Sequence, residues 1–356
     1  MTTAAPSRTT DPAPLQASPM PLPTPRGRIG EALLQLLTGT TLDPAPLHAA
    51  VAAAVPGPTR SWLDHDDLQI ALTCMYELHH QGLEGVDDDW EWHPDVLVAR
   101  SLLERRVEAE LRDRVTAPAP GATAADTAAT LFATAAADDA PSVSRYLARR
   151  ATQPQVEEFL VHRSVYQLKE ADPHTWAVPR LSGAPKVALV EIQSDEYGAG
   201  DPARQHAALF AAAMRGVGLD ATYGRYVDHV PAITLAHPNV MAMLGLNRRL
   251  RGAIVGHLAA FEMTSSVPNR LYGNGLRRLG FGADVTEYFD EHVEADAVHE
   301  QIAARDMAGR LVEQQPALGP DVMWGAAVCL ALDGWWARHV LAAWEAGTSS
   351  LRRPVR

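Results

Sequence analysis

The sequence has 356 residues, 47% of them hydrophobic, which is enough for a substantial core and for two domains. Its formal net charge of -12 disfavours general binding to nucleic acid or to anionic lipid. The two cysteines, Cys74 and Cys329, lie far apart, so neither a disulfide framework nor a thiolate-based zinc site is expected. No apolar run approaches the roughly 20 residues that cross a bilayer. We therefore expect a soluble, cytoplasmic protein that acts on a small molecule or binds a protein partner.

Helical spacing of apolar residues dominates the chain, and alternating β-branched runs are nearly absent, so we predict an all-α fold. Residues 1–28 are rich in Pro, Thr and Ala and are expected to form a disordered leader. A helical region for packing or dimerisation (29–116) and a linker (117–141) precede a second helical region (142–350). The helices predicted before residue 142 cover 30–37, 46–54, 64–80, 94–115 and 127–137. Those predicted after it cover 142–151, 153–169, 187–197, 202–215, 223–228, 238–245, 248–266, 274–280, 286–314 and 323–346.

One predicted helix carries a pattern typical of metal ligands. His292, Asp296 and His299 stand at positions i, i+4 and i+7, which share one face of an α-helix. Imidazole nitrogens together with a carboxylate oxygen suit iron, manganese or zinc better than calcium or magnesium. By itself, the pattern is equally consistent with a polar cluster on a helix surface.

Other acidic and histidine residues of the second region extend this pattern. Glu262 lies in an otherwise apolar helix, where a buried carboxylate needs a partner such as a cation. Glu196 and His206 flank a glycine-containing loop, and Glu170 ends a predicted helix. With the three residues at 292–299, these side chains supply four carboxylates and three histidines, an inventory that fits two iron ions.

The order and spacing of these residues resemble a known family. The resemblance is carried by Glu170, by Glu-Ile-Gln-Ser-Asp-Glu-Tyr-Gly-Ala-Gly-Asp at 191–201 with His206, by Glu262, and by His-x3-Asp-x2-His at 292–299. Over roughly residues 142–347 the chain resembles the haem-oxygenase-like di-iron oxidases and oxygenases, or iron-containing redox enzymes. That resemblance implies a seven-helix bundle behind the N-terminal helical region.

The resemblance also implies an assignment of ligands to two irons. One ion would be held by Glu170, His206 and His299, and the other by Glu262, His292 and Asp296. Glu196 would bridge the ions or complete one shell, because the residue three before His206 is Ala203 and not the acid of the common Glu-x-x-His pattern. Asp195 and Asp201 are the alternative ligands at this point.

The implied activity is that of a non-haem di-iron oxygenase with Fe(II)/Fe(III) ions, O2 as co-substrate and an external electron donor, such as a ferredoxin-type protein. Glu196 and Glu262 are the ligands expected to take part in catalysis. N-oxygenation of an amine or amino-acid-like metabolite in secondary metabolism is the first expectation, in a homodimer. The alternatives are oxidative C–C cleavage, desaturation or decarboxylation of an amino or fatty acid, and a non-catalytic helical binding protein.

Two further groups have less specific signals. Tyr197, Arg204 and Arg270 lie near the proposed ligands in sequence and are candidates for substrate contact, although a structural salt bridge explains each arginine at least as well. Glu77 and His80 satisfy Glu-x-x-His, with His79 between them, but no second pair accompanies them. A hydrogen-bonded or interface cluster is therefore favoured there over a second metal site.

Overall fold

The computed structural model describes residues 18–56 and 61–355. Apart from an isolated bridge between Met20 and Leu83, the regular structure of these residues is helical, which confirms the all-α prediction. None of the helices in the described part of the chain is long and apolar enough to cross a membrane.

The N-terminal region packs directly on the rest of the chain. Its helices are α1 (Arg28–Leu37), α2 (Ala45–Ala53), α3 (Asp66–Glu77) and α4 (Pro94–Arg114). Helix α3 is buried on nearly every face and packs against a helix of the second region, so one hydrophobic core runs through both regions.

Two segments before residue 142 differ from the prediction. Residues 1–17 of the predicted leader lie outside the described residues, but residues 18–27 pack on the protein: Met20 is buried and Arg26 donates to the Val227 carbonyl at 2.6 Å. The predicted linker contains α5 (Ala124–Ala136), which matches the helix predicted at 127–137, but its Leu131 is buried in the core, so the segment is not a linker. Helix α5 therefore belongs to the helical body, because its apolar face has a partner there.

The second region supplies the remaining helices. They are α6 (Val143–Arg149), α7 (Gln153–Gln167), α8 (Asp172–Thr175), α9 (Ala184–Glu196), α10 (His206–Gly216), α11 (Ala232–Leu246), α12 (Arg251–Met263), α13 (Ser266–Arg278), α14 (Ala283–Gln301), α15 (Arg310–Gln314) and α16 (Gly319–Glu345). A π-helix, Ile302–Gly309, joins α14 to α15. Helix α12 packs closely along α16, since Gly256 and Gly325 let the two backbones approach where a Cβ atom would collide.

Several helix boundaries in the second region differ from the prediction; for example, α11 begins at Ala232 and not at residue 238, and residues 223–228 form no α-helix. Two of the differences have a clear physical reason. The helix predicted from residue 202 begins at His206, because Asp201 accepts a hydrogen bond from the Ala203 N–H in a turn and not at a helix start. The break predicted at Pro268 and Gly273 is absent, and α13 runs through both. Pro268 occupies the first turn, where its missing N–H has no helical partner to lose.

Candidate metal centre

The seven side chains predicted as metal ligands are all buried, and they come from five segments of the chain. Glu170 follows α7, Glu196 ends α9, His206 begins α10, Glu262 lies near the end of α12, and His292, Asp296 and His299 project from α14. The structure therefore brings together residues that are up to 129 positions apart, counted from Glu170 to His299.

These side chains form two ligand sets that share one carboxylate. The first ligand set is Glu170, Glu196, His206 and His292, and the second ligand set is Glu196, Glu262, Asp296 and His299. In each set, one ligand atom per residue lies within 4.8 Å of all the others. The prediction placed His299 in the first ligand set and His292 in the second, whereas the structure has them the other way round. The two histidines lie two turns apart on α14 and therefore reach different sets.

In the first ligand set, the orientation of one histidine is fixed by its own helix. The Nδ1 atom of His292 lies 2.7 Å from the Tyr288 carbonyl oxygen, so it donates there and leaves Nε2 free as an acceptor. That Nε2 atom is 3.7 Å from Oε1 of Glu170. The Tyr288 hydroxyl in turn donates to the Glu170 carboxylate at 2.9 Å. Tyr288 therefore orients two ligands of this set.

The second ligand set has a similar support from Asp195. The Nε2 atom of His299 lies 3.1 Å from Oδ2 of Asp195, so it donates to this carboxylate and Nδ1 faces the set. From Nδ1 the distances are 3.4 Å to Oε2 of Glu262 and 3.8 Å to Oδ1 of Asp296. Asp195, which was an alternative ligand in the sequence, is thus placed behind a histidine of the set.

Charge crowding at the centre shows in the pKa values of its carboxyl groups. Burial disfavours the charged form of Glu196, but the imidazoles around it, led by His206 at 3.0 Å, outweigh that effect and lower its pKa to about 2. Burial raises the pKa of Glu262, and it raises the pKa of Asp296 to about 9 against the opposing effect of His292. The histidines alone therefore do not stabilise all four carboxylates in the ionised form.

Three atoms of the centre make no hydrogen bond of acceptable geometry among the described residues: Nδ1 of His206, Nδ1 of His299 and Oδ2 of Asp296. The two nitrogens lie close to carboxylate oxygens, at 3.0 Å from Glu196 and 3.4 Å from Glu262, without forming hydrogen bonds to them. Leaving a buried polar atom unsatisfied costs about 1–3 kcal/mol, so a protein rarely keeps three together without a reason. Two divalent cations would accept these lone pairs and would balance the four negative charges of the carboxylates. The nitrogen and oxygen donors fit iron.

Residues 157–334 match the family model described as iron-containing redox enzyme. The chain belongs to this family. All seven candidate ligands lie within the matched residues, and the all-α fold is the haem-oxygenase-like fold that the sequence resemblance implied.

A nitrosourea synthase from Streptomyces achromogenes subsp. streptozoticus is 32% identical to this family member over 147 residues. The match covers 41% of this chain and 31% of the relative, so the similarity spans about a third of the relative's length.

A cavity adjoins the first ligand set, with Glu170 and His292 in its wall. Carboxylates and hydroxyl groups line much of it, from Asp138, Asp333, Thr264, Ser265 and Tyr272. Its aromatic wall includes Phe159 and Phe289. Arg163 also lines the cavity and pairs there with Asp333 at 3.1 Å.

The three residues predicted to contact a substrate do not line this cavity. Tyr197 donates to Asp172 at 2.8 Å, and Arg204 makes two contacts of 2.8 Å with Glu291 on the surface. Arg270 is exposed on α13. These positions therefore give no support from this cavity to the predicted substrate contacts, which stay a prediction.

Sequence reasoning overlooked the residues that support the ligands and line the cavity. A usable signal existed for Tyr288, which lies one helical turn before His292. A second signal lay on α7, where Phe159, Arg163 and Gln167 repeat at i, i+4 and i+8 and so share the face that leads to Glu170.

The Glu77 motif belongs to an interface cluster. Glu77 pairs with Lys169 and accepts a hydrogen bond from Tyr223 at 2.6 Å. His79 instead lies 3.1 Å from Glu91, and the described residues contain no metal-ligand group that includes Glu77, His79 or His80. The hydrogen-bonded arrangement favoured from the sequence is the one that the structure has.

Proposed function

We propose that this iron-containing redox enzyme is a non-haem di-iron oxygenase that N-oxygenates a small amine or amino-acid-like substrate. The observation that carries the proposal is the pair of buried four-residue ligand sets that share Glu196, with three ligand atoms left unpaired. A single ion would occupy one set and leave the orphaned atoms of the other in place. Two ions, one held by each ligand set, would account for all three atoms.

When bound, two Fe(II) ions supply the electrons that activate dioxygen. The chain's own residues position the ions and the substrate. Tyr288 and Asp195 hold His292 and His299 in the tautomers that present a lone pair to the centre. Aromatic residues such as Phe210 and Phe289 exclude bulk water on the cavity side, which protects reactive species from side reactions.

The cavity lining favours an amine over a fatty chain. The Asp138 carboxylate attracts an ammonium group, and the hydroxyl groups of Thr264 and Ser265 provide polar contacts beside it. A substrate with a long alkyl chain would need a continuous apolar wall, whereas acids and hydroxyls interrupt this one. Oxidative cleavage or decarboxylation of a fatty acid is therefore the less favoured alternative.

The name of the relative supports the same reaction class. A nitrosourea carries a nitrogen bonded to a nitroso group, so its synthesis requires bonds between nitrogen and oxygen. That activity is the relative's, and the similarity covers only part of each chain. Together with the cavity lining, it favours nitrogen as the atom that this chain oxidises.

Anaerobic iron loading of the variant Glu196→Gln tests the di-iron proposal. We expect two irons per chain in the parent protein and a loss of at least about 100-fold in affinity in the variant, beyond the 10–100-fold typical of residues behind the ligands. Glu191→Gln is the matched control, because Glu191 is an exposed carboxylate on the same helix. A parent protein that binds no iron would support a non-catalytic helical binding protein instead.

Incubation with isotopically labelled O2, a chemical reductant and a panel of substrates tests the reaction class. We expect label in the nitrogen-bound oxygen of an amine or amino acid. Asp138→Asn is expected to raise KM for the amine more than it lowers kcat, because Asp138 lines the cavity without being a metal ligand. Turnover of fatty acids, with no label transferred to any amine, would reverse the ranking of the two reactions.

A further inference from the structure

A second group of metal-binding side chains lies outside the candidate iron centre. His237 on α11, His257 on α12 and Cys329 on α16 each offer one ligand atom, and these atoms lie within 4.8 Å of one another. We call this group the His237 cluster. Its members come from three different helices, so no local sequence motif indicates the cluster.

The cluster contains buried polar atoms that the protein leaves unpaired. The Nε2 atoms of His237 and His257 are shielded from solvent and have no hydrogen-bond partner among the described residues. His257 is 0% exposed and Cys329 is 3% exposed, so water reaches neither side chain freely. As at the iron centre, unsatisfied donor atoms in the interior point to a missing partner.

A fourth residue orients the cluster. Nε2 of His174 lies 3.2 Å from Nδ1 of His257, and a hydrogen bond between them commits that nitrogen of His257. Nε2 is then the nitrogen of His257 that remains available to a ligand. This is the arrangement of a metal-binding histidine whose second nitrogen is held by a neighbouring polar group.

We propose that the His237 cluster is a binding site for a zinc-type cation, separate from the two irons. Two imidazoles and one thiolate form a ligand set that suits Zn²⁺, and three protein ligands leave one coordination position open. On binding, Cys329 transfers its thiol proton to solvent and the thiolate bonds to the cation. The proposal does not depend on the iron centre, because the two sites share no residue.

The protonation states of the cluster agree with this assignment. Burial lowers the pKa of His237 to about 4 and that of His174 to about 3, and it holds the pKa of His257 well below its ordinary value. The imidazoles are therefore neutral at neutral pH, as metal ligands must be. Burial raises the pKa of the Cys329 thiol, so only a nearby cation would stabilise its thiolate form.

The location of the cluster indicates what the cation would do. His237 and Cys329 line the cavity that also contains Glu170 and His292. A cation held there borders this cavity, and its open position is available to a water molecule or to an anionic group of a bound substrate. The site thus adds a positive charge to a wall in which Arg163 is the only permanently charged cation among the described lining residues.

Cobalt spectroscopy of the full chain tests the site without interference from the iron centre. Co²⁺ bound to a thiolate gives a sulfur-to-metal charge-transfer band, and the iron centre contains no thiolate. Co²⁺ that occupies the iron centre adds nothing to this band, so we expect a band intensity that corresponds to one thiolate-bound Co²⁺ per chain, whatever the total cobalt content. Excess Zn²⁺ should remove the band. The band should persist in Glu196→Gln, which disables only the iron centre.

Cysteine and histidine variants assign the band to residues. Cys329→Ser is expected to abolish it, whereas Cys74→Ser, the matched control at the other buried cysteine, is expected to keep it. His257→Asn should weaken Co²⁺ binding at least tenfold, which keeps the test decisive if Cys329→Ser fails to fold. A parent protein without the band, or a folded Cys329→Ser variant that retains it, would overturn the proposal.

Discussion

The buried carboxylates of the N-terminal region and those of the metal centre are stabilised in different ways. In the N-terminal region, Asp67 accepts hydrogen bonds of 2.8 Å from the N–H groups of Ile29 and Gly30. Glu104 accepts from the Tyr76 hydroxyl at 2.9 Å and from the Asn247 amide at 3.2 Å. Each of these carboxylates has a partner for both of its oxygens within the polypeptide.

At the metal centre the carboxylates compete for too few donors. Four of them share three imidazoles and the Tyr288 hydroxyl, and Oδ2 of Asp296 has no partner among the described residues. The contrast teaches how to distinguish a structural polar cluster from a ligand site in a fold that contains both. A structural cluster is satisfied by the protein alone, whereas a ligand site is satisfied only when something else binds.

The largest effect is expected where a structural cluster loses one partner. Glu77→Ala leaves Lys169 buried without its counter-ion, and breaking a buried pair in this way costs about 3–5 kcal/mol. Chemical denaturation of the metal-free protein measures the loss in the free energy of unfolding. The double variant Glu77→Gln with Lys169→Met should recover most of it, since no charge is then left unpaired. An unchanged stability in Glu77→Ala would show that the pair is not buried in solution.

A smaller effect is expected behind a ligand of the metal centre. Asp195→Asn weakens the hydrogen bond that orients His299 but removes no ligand, so iron affinity should fall by about 10–100-fold. Titration with Fe(II) under anaerobic conditions measures it. Asp201→Asn serves as the control, because an amide oxygen at 201 still accepts from the Ala203 N–H. Equal affinities in the two variants would contradict the supporting role of Asp195.

Replacing a carboxylate of the metal centre should stabilise the metal-free protein, whereas replacing Glu77 should destabilise it. Burial raises the pKa of Asp296 to about 9, so at neutral pH the metal-free folded protein must bind a proton there that the unfolded chain does not bind. Asp296→Asn removes this requirement, so the metal-free protein should gain about 1 kcal/mol of stability while it loses iron. Denaturation of iron-free samples makes the comparison, with Glu294→Gln on the exposed face of α14 as control. A destabilised Asp296→Asn variant would place this carboxylate in the same class as those of the N-terminal region.

Sequence reasoning recovered most of the helices because each one carries its apolar period within a few turns. The seven ligand candidates were also within reach, since spacing on α14 and isolated acids in apolar helices are visible locally. Their grouping was not, because it depends on how α14 is rotated against α9 and α10. The His237 cluster was invisible for the same reason: a single cysteine becomes meaningful only when three helices bring two histidines to it.

The smallest effect is expected for Arg204, which was a candidate for substrate contact because it lies near the ligands in the sequence. Arg204 pairs with Glu291 on the surface, with 55% of its side chain exposed, and exposed pairs contribute about 0–1 kcal/mol. Arg204→Ala should therefore leave iron content, KM and kcat unchanged and alter stability by no more than this amount. Asp138→Asn, in the cavity wall, is the contrasting variant for the kinetic measurement. A rise in KM in Arg204→Ala alone would move substrate recognition from the cavity to the loop that joins α9 to α10, and it would restore the sequence-based prediction for this arginine.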